Sequence, residues 1–239
     1  MMDMKRTRRA VLGTAAVGIG TVAGCLGDEN RDDAADSDPE APSTDTGSDG
    51  SETGSSSDDD SDADAETGTP PEAPVAGDPD AAVTVTVYED FACPHCRTFE
   101  QEVVPQLEEA YIDPGRIRYE RREFPIPVHP TWSWAMASAA REVYETEGDD
   151  AYWAFTSDIY EAQTYSYELI ESVAADHGLD GTAVREAAEE ETHRSTIEAD
   201  KSHGESIGVE GTPTVFVDGD DLESPAFERI ADAIDSALE

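Results

Sequence analysis

Apolar residues fall on odd positions from Val83 through Val85 to Val87, with threonines between them. That period of two predicts a strand running to about Tyr88. The spacing then changes. Phe99, Val103, Leu107, Ala110 and Tyr111 recur near every 3.6 residues, the pattern of an amphipathic helix. Asp113-Pro114-Gly115 marks a turn. Ile117, Tyr119 and Arg121 alternate in a second strand that ends near Phe124-Pro125. Strand, helix and strand in so short a run imply a parallel pair with a right-handed crossover. From His129 to about Ser206 the pattern is helical. It holds Trp132, Trp134, Met136, Ala140 and Val143, then Tyr152, Trp153, Phe155 and Ile159, then Leu169, Ile170, Val173 and Ala174 up to Gly178. Thr214-Val215-Phe216-Val217 reads as a late strand with a turn at Asp218-Gly219. Ser224-Pro225 reads as an N-cap and first helical residue. Phe227, Ile230, Ala231, Ile234 and Leu238 then form the apolar face of a last helix.

Chemistry concentrates where the first strand gives way to the first helix. Cys93-Pro94-His95-Cys96 lies there, so Cys93 is placed at or just before the first turn. The amides of that turn have no partners within the helix, and with the helix dipole they favour negative charge. Thiolate, not thiol, is the attacking species, so this position activates Cys93. The expectation is an acidic, exposed Cys93 thiol. Glu89 and Asp90 are close enough in sequence to move a proton for Cys96, but residues at a strand end often serve only solvation. A module using Cys93, Cys96 and a histidine to hold or deliver a metal is an alternative. A zinc site, however, needs four ligands, and the chain has no second CxxC pair. No metal or cofactor is expected. His129 is expected to cap or fill a helix start, His177 to sit at a helix C-terminus, and His193 and His203 to lie on the surface.

From about residue 81 onward the chain resembles the DsbA-like thiol-disulfide oxidoreductases. The resemblance rests on Tyr88-Glu89-Asp90-Phe91-Ala92-Cys93-Pro94-His95-Cys96, on Glu102-Val103-Val104-Pro105, and on Gly208-Val209-Glu210-Gly211-Thr212-Pro213-Thr214-Val215-Phe216-Val217-Asp218-Gly219. It implies an α/β thioredoxin fold with an inserted helical subdomain at about 126–206, and a proline kink in the active-site helix. It also implies that Cys93 attacks, Cys96 resolves the mixed disulfide, and the two form a redox-active disulfide. Pro94 and His95 complete the catalytic motif, and His95 resembles the residue that strengthens thiolate stabilisation in oxidising members. Pro213 would be a cis proline facing the cysteines, and with Thr212 it would bind substrate. An oxidase is preferred over an isomerase or reductase. The implied partners are exported proteins bearing thiols or disulfides and a membrane or soluble redox partner that resets the dithiol.

Composition locates this chemistry. Lys5, Arg6, Arg8 and Arg9 precede an uncharged run rich in small residues from Ala10 to Gly24. The run is too short for a membrane span and has the layout of a signal peptide. Thr7-Arg8-Arg9-Ala10-Val11-Leu12 resembles a twin-arginine signal. Val22-Ala23-Gly24-Cys25 resembles a lipobox, which makes Cys25 the lipidated new N-terminus. Residues 1–25 are therefore expected to direct export, and the lipid to anchor the protein on the outer face of the membrane. With Cys25 so used, the three cysteines reduce to one pair.

Residues 26–80 are acidic and nearly free of large apolar side chains, so they read as a disordered linker. As a flexible tether they would span roughly 40 Å. That linker carries −18 and residues 1–25 carry +3, which leaves −26 of the total −41 for residues 81–239. The sign disfavours nucleic acid as a partner. A domain so charged repels itself in dilute buffer, whereas in molar salt the screening length falls to about 3 Å. The composition is that of a halophile's protein.

Overall fold

The computed structural model describes residues 70–239. The signal segment, Cys25 and the linker up to residue 69 lie outside the described residues. Five strands form one sheet: β1 (Val75–Gly77), β2 (Thr84–Glu89), β3 (Arg118–Glu123), β4 (Thr214–Val217) and β5 (Asp220–Asp221), in the order β1-β3-β2-β4-β5. The predicted strand–helix–strand unit is present. β2 and β3 pair in parallel, with Val87 opposite Arg121 and Glu89 opposite Glu123. β4 joins the other side of β2 antiparallel, and β1 joins β3 antiparallel.

β1 falls within the stretch read as linker, so the fold begins earlier than residue 81. Three residues offer too little periodicity to be found from pattern alone. What fixes them is remote: Ala73 is buried, and the carbonyls of Pro71 and Glu72 accept bonds from Arg122 and Arg141.

The helix after β2 is α1 (Pro94–Glu102), followed by one turn, α2 (Val104–Leu107), and a wider π-type turn over Glu108–Ile112. Pro105 has no N–H to continue the ladder, so the break at Val103 has a covalent cause. Five helices form the insertion: α3 (Trp132–Glu147), α4 (Asp149–Glu161), α5 (Tyr167–Asp176), α6 (Gly181–Glu190) and α7 (Arg194–Ser206). Ser166 and Asp180 cap α5 and α6 by accepting from Leu169 N and Ala183 N. The last helix, α8 (Phe227–Ala237), starts after the predicted Ser224-Pro225 cap, which makes no cap bond. Its residues Ile230 and Ile234 face the sheet core as expected.

Two large apolar cores result, beside a small cluster of Tyr88, Phe124, Val209 and Phe216. One fills the space between the sheet, α1, α2 and α8, and includes Val85, Val87, Phe99, Leu107, Val215 and Ile234. The other lies within the insertion around Met136, Phe155, Ile159 and Ile170. Phe91, Cys93 and Cys96 belong to this second core. The cysteines therefore sit at the seam where the sheet meets the insertion.

On the opposite sheet face, α7 approaches unusually closely at Gly204. A Cβ there would lie 2.9 Å from both Tyr88 Cε1 and Phe124 Cδ2, two buried rings. His203 beside it bonds the Tyr88 hydroxyl at 2.6 Å, and His193 bonds Glu142 at 2.7 Å. Both histidines are half-buried rather than surface groups, each turned toward a polar partner on another element. Gly204→Ala should lower stability by about 1–3 kcal/mol, the usual penalty for overpacking rigid surroundings. Urea unfolding of the two proteins measures it. An unchanged midpoint would show that α7 can move off the sheet freely.

Candidate active site

The loop from β2 into α1 is fastened by Asp90. Its carboxylate accepts from Ala92 N and from Ile126 N, both at 2.7 Å, and so ties the loop to the start of the insertion. The Asp90 amide donates to Cys96 Sγ at 3.5 Å. Burial raises the Asp90 pKa above the ordinary carboxylate value.

Cys93 occupies the N-cap of α1, with Pro94 as its first helical residue. Its carbonyl accepts from Arg97 N, the first bond of the helix. Across 119 residues of sequence, the Thr212 carbonyl lies 3.5 Å from Cys93 Sγ. The Thr212–Pro213 peptide is cis. The fold thus brings Cys93, Cys96, Thr212 and Pro213 together.

Cys93 is not exposed; only 3% of its surface reaches solvent. The second core and the Thr212 segment close over it. Burial by itself would raise a thiol pKa. Here it is outweighed, and Cys93 is lowered to about 5, first by a hydrogen bond from the Cys96 thiol. The Thr212 side chain and the backbone amides of Cys96 and His95 add to that. The Thr212 hydroxyl is buried with no other partner, which leaves it available to the thiolate. Cys96 goes the opposite way. Burial, then its bond to Cys93, then the charge of Glu89 raise its pKa. At neutral pH the pair is one thiolate and one thiol, both unbridged in this structure.

His95 is exposed, and its ring makes no hydrogen bond among the described residues. What it supplies to Cys93 is its amide. Next to it, Arg97 donates to the Tyr165 hydroxyl at 2.8 Å and ties α1 to the insertion.

Beneath Cys96 lies a group that pattern reading passed over. Arg121, fully buried on β3, reaches Glu89 on β2 at 2.8 Å and Glu100 on α1 at 2.6 Å. It also donates to Thr156 on α4, and the rings of Trp153, Tyr160 and Tyr152 surround it at 4.5, 5.3 and 5.7 Å. The sequence did carry a sign of this. An arginine on the inward phase of Ile117, Tyr119 and Arg121 needs buried acidic partners. Glu100 sits four residues beyond Cys96, on the same side of α1.

The location of the donors leads to a comparison of two variants at one position. His95→Pro removes an amide that faces the Cys93 sulfur, whereas His95→Ala keeps it. Titration of thiolate absorbance should give a Cys93 pKa clearly higher in His95→Pro than in His95→Ala. Equal values would mean that the His95 amide does not lower the Cys93 pKa. The stability consequence has a definite sign. With a depressed folded pKa, the reduced protein holds its full advantage over the unfolded chain above about 8.5, the unfolded thiol value. That advantage is lost as pH falls through about 5.

Relatives carry the same arrangement of chain. The sequence profile of the thioredoxin family matches residues 69–236. The probable disulfide bond formation protein D of Bacillus anthracis is 28% identical over 170 residues, covering 68% of this chain and 76% of that protein. Disulfide bond formation protein D of Bacillus subtilis is 27% identical over 173 residues, covering 69% and 77%. Among solved structures, oxidised BdbD from Bacillus subtilis superposes with a TM-score of 0.64 at 25% identity, over 70% of this chain and 92% of that one. Chlamydia trachomatis DsbA gives 0.61 at 21%, over 71% and 93%, a likeness of fold. A strand ending in a CPHC helix cap, a cis proline against the first cysteine, and a profile match across the whole described fold lead to one conclusion: the chain belongs to the thioredoxin family.

Proposed function

We propose that this thiol-disulfide oxidoreductase works outside the cytoplasm as an oxidase, passing its Cys93–Cys96 disulfide to exported proteins that bear thiols. The carrying observation is the opposite treatment of two neighbouring sulfurs. Cys93 is lowered to about 5 while Cys96 is raised. A stabilised Cys93 thiolate favours the reduced enzyme, and a favoured reduced enzyme makes its disulfide a strong electron acceptor. Pairs of this kind reach about −120 mV, against about −270 mV for thioredoxin. The names of the Bacillus relatives, disulfide bond formation proteins, agree with that direction. In each cycle a substrate thiolate attacks Cys93 Sγ, the Cys93–Cys96 bond breaks, and Cys96 leaves as a thiolate that is then protonated. A second substrate thiolate attacks the substrate sulfur of the mixed disulfide. It releases Cys93 as thiolate and leaves the substrate oxidised. A separate redox partner, membrane-bound or soluble, then takes the two electrons. The Thr212–Pro213 segment, half-buried against Cys93, supports a role in holding the substrate strand beside the sulfur.

The same reading places the domain on a tether. A lipid on Cys25 would hold it at the outer membrane face, and the acidic linker would let it range over the surface. The charge of −41 supports a working environment of molar salt.

Equilibration with glutathione in molar salt should give a potential nearer −120 than −270 mV, and Cys93→Ser should abolish oxidation of a reduced, unfolded secreted protein. A potential near −270 mV would make the chain a reductase. For the anchor, Cys25→Ser should move the protein from the membrane fraction to the soluble fraction. A variant that stays on the membrane at wild-type size would remove the lipoprotein assignment.

A further inference from the structure

The sheet face turned away from α1 holds a cavity that the redox chemistry does not use. Val85 and Val87 point into the core beside Phe99 of α1, so alternation turns Thr86 and Tyr88 of β2 the other way. Pairing sets Glu120 of β3 and Phe216 of β4 beside Thr86, and Arg122 of β3 beside Tyr88. With His203, Ile207 and Gly219 these residues line a cavity of about 170 Å³ that opens to solvent on one side. Phe216 is buried, its ring 5.9 Å from that of Tyr88, whereas Ile207 is 44% exposed. The wall thus joins apolar surface to charged groups.

Three polar atoms of that wall have bonding capacity to spare. Glu120 Oε1 is held by Arg118 Nε at 2.6 Å, but Oε2 has only the Thr86 hydroxyl at 3.5 Å and Arg122 Nη2 at 3.6 Å, both long contacts. Arg122 commits Nη1 to Asp200 at 2.8 Å and to the Pro71 carbonyl at 2.9 Å, which leaves Nη2 with the long contact to Glu120. His203 Nδ1 lies 2.6 Å from the Tyr88 hydroxyl. Burial pushes Tyr88 up to about 12 and holds His203 below the ordinary imidazole value, so at neutral pH the hydroxyl keeps its proton and the ring is neutral. The hydroxyl then donates to Nδ1, and the ring hydrogen sits on Nε2. Nε2 makes no hydrogen bond among the described residues. The cavity therefore offers two donors, Arg122 Nη2 and His203 Nε2, and one charged acceptor, Glu120 Oε2.

That set selects by chemistry. An anion alone would take the donors but face the Glu120 charge at contact. A cation alone would take Glu120 but face Arg122. In molar salt the screening length is about 3 Å, so neither gains from the field of the whole domain, and only groups in contact count. A molecule carrying a carboxylate and an ammonium close together satisfies both sides at once, through charge-assisted hydrogen bonds. The rest of it must be apolar to lie against Phe216 and Ile207. Its size is bounded too: a cavity of about 150 Å³ takes a guest as small as benzene, and this one is of that order.

We propose that this cavity binds a free aliphatic α-amino acid, its carboxylate on Arg122 and His203, its ammonium on Glu120 and its side chain against Phe216 and Ile207. The site takes nothing from the dithiol, and it stands whether or not the oxidase reading holds.

The test uses the full-length protein in molar salt with L-leucine as the probe. Two analogues each lack one of its charges: 4-methylpentanoate has no ammonium, and isoamylamine has no carboxylate. Equilibrium dialysis measures the binding of all three. The ring signals of His203, assigned among the five histidines by their loss in His203→Gln, report where binding occurs. Leucine should bind saturably and shift the His203 signals. Each analogue should bind about 10-fold more weakly or worse, the size of one lost hydrogen bond to a charged group. Glu120→Gln should weaken leucine by about the same factor and leave 4-methylpentanoate nearly unchanged. Ile207→Ser, a change at an exposed position, should weaken leucine several-fold. No saturable binding of leucine, equal binding of either analogue, unmoved His203 signals, or leucine binding indifferent to both substitutions would each overturn the proposal. Equal binding of 4-methylpentanoate would make the cavity an anion site, and equal binding of isoamylamine a cation site. If Glu120→Gln does not fold, Ile207→Ser and the two analogues on the wild type decide the matter.

Discussion

One buried guanidinium determines how the parts of this molecule meet. Arg121 stands on β3 with no access to water, and an unpaired charge there would destabilise the fold by several kcal/mol. Its partners come from three places: Glu89 from β2, Glu100 from the active-site helix, and Thr156 with the rings of Trp153, Tyr152 and Tyr160 from α4. The sheet, the helix that carries both cysteines and the inserted helical subdomain are thereby held to a common point. Directional contacts of this kind restrict relative placement more than apolar packing does, because a carboxylate that slips leaves its charge unsatisfied. The cysteines sit beside that point, so the geometry of the sulfur pair inherits its rigidity.

Much of this was legible in the sequence, for identifiable reasons. The valines of β2 lie against the sheet core, so their period of two is clean. The stop at Val103 follows from Pro105, a covalent fact. Cys93-Pro94-His95-Cys96 sits at a change of period, which alone places it on a helix start. Other features had no local sign. β1 is three residues held by distant side chains, and Arg122 and Arg141 give no hint of which carbonyls they will reach. The burial of Cys93 depends on a segment 119 residues away. Exposure is a property of the whole fold, and a helix N-terminus predicts only charge preference. His95 was read through its ring because residue identity draws attention to side chains, whereas the structure uses its backbone. Arg121 and Glu100 were readable in principle, since each breaks the polarity expected of its face.

The distribution of bases sharpens the meaning of the acidity. Residues 70–239 contain ten lysines and arginines. Three of them, Arg121, Arg122 and Arg141, are buried. Arg122 reaches Asp200 at 2.8 Å and the Pro71 carbonyl at 2.9 Å, and Lys201 is turned toward the Pro125 carbonyl. Four carboxylates, Glu89, Asp90, Glu123 and Asp200, are buried with them, so the interior nearly balances its own formal charge and almost all of the net negative charge lies on the exterior. The self-repulsion that salt must screen is therefore a property of the surface.

The Arg121 cluster also constrains how such a sequence can drift. Replacing all of its ionic members by apolar residues of similar volume is, in proteins generally, neutral or stabilising by about 1–4 kcal/mol. Replacing one alone leaves a buried charge without its partner, at about 3–5 kcal/mol. An all-apolar alternative and the present arrangement are thus separated by a valley that single substitutions must descend into. Descendants of this chain would keep all three side chains or lose them together, and an aligned set of its relatives should show Glu89, Glu100 and Arg121 changing as one unit.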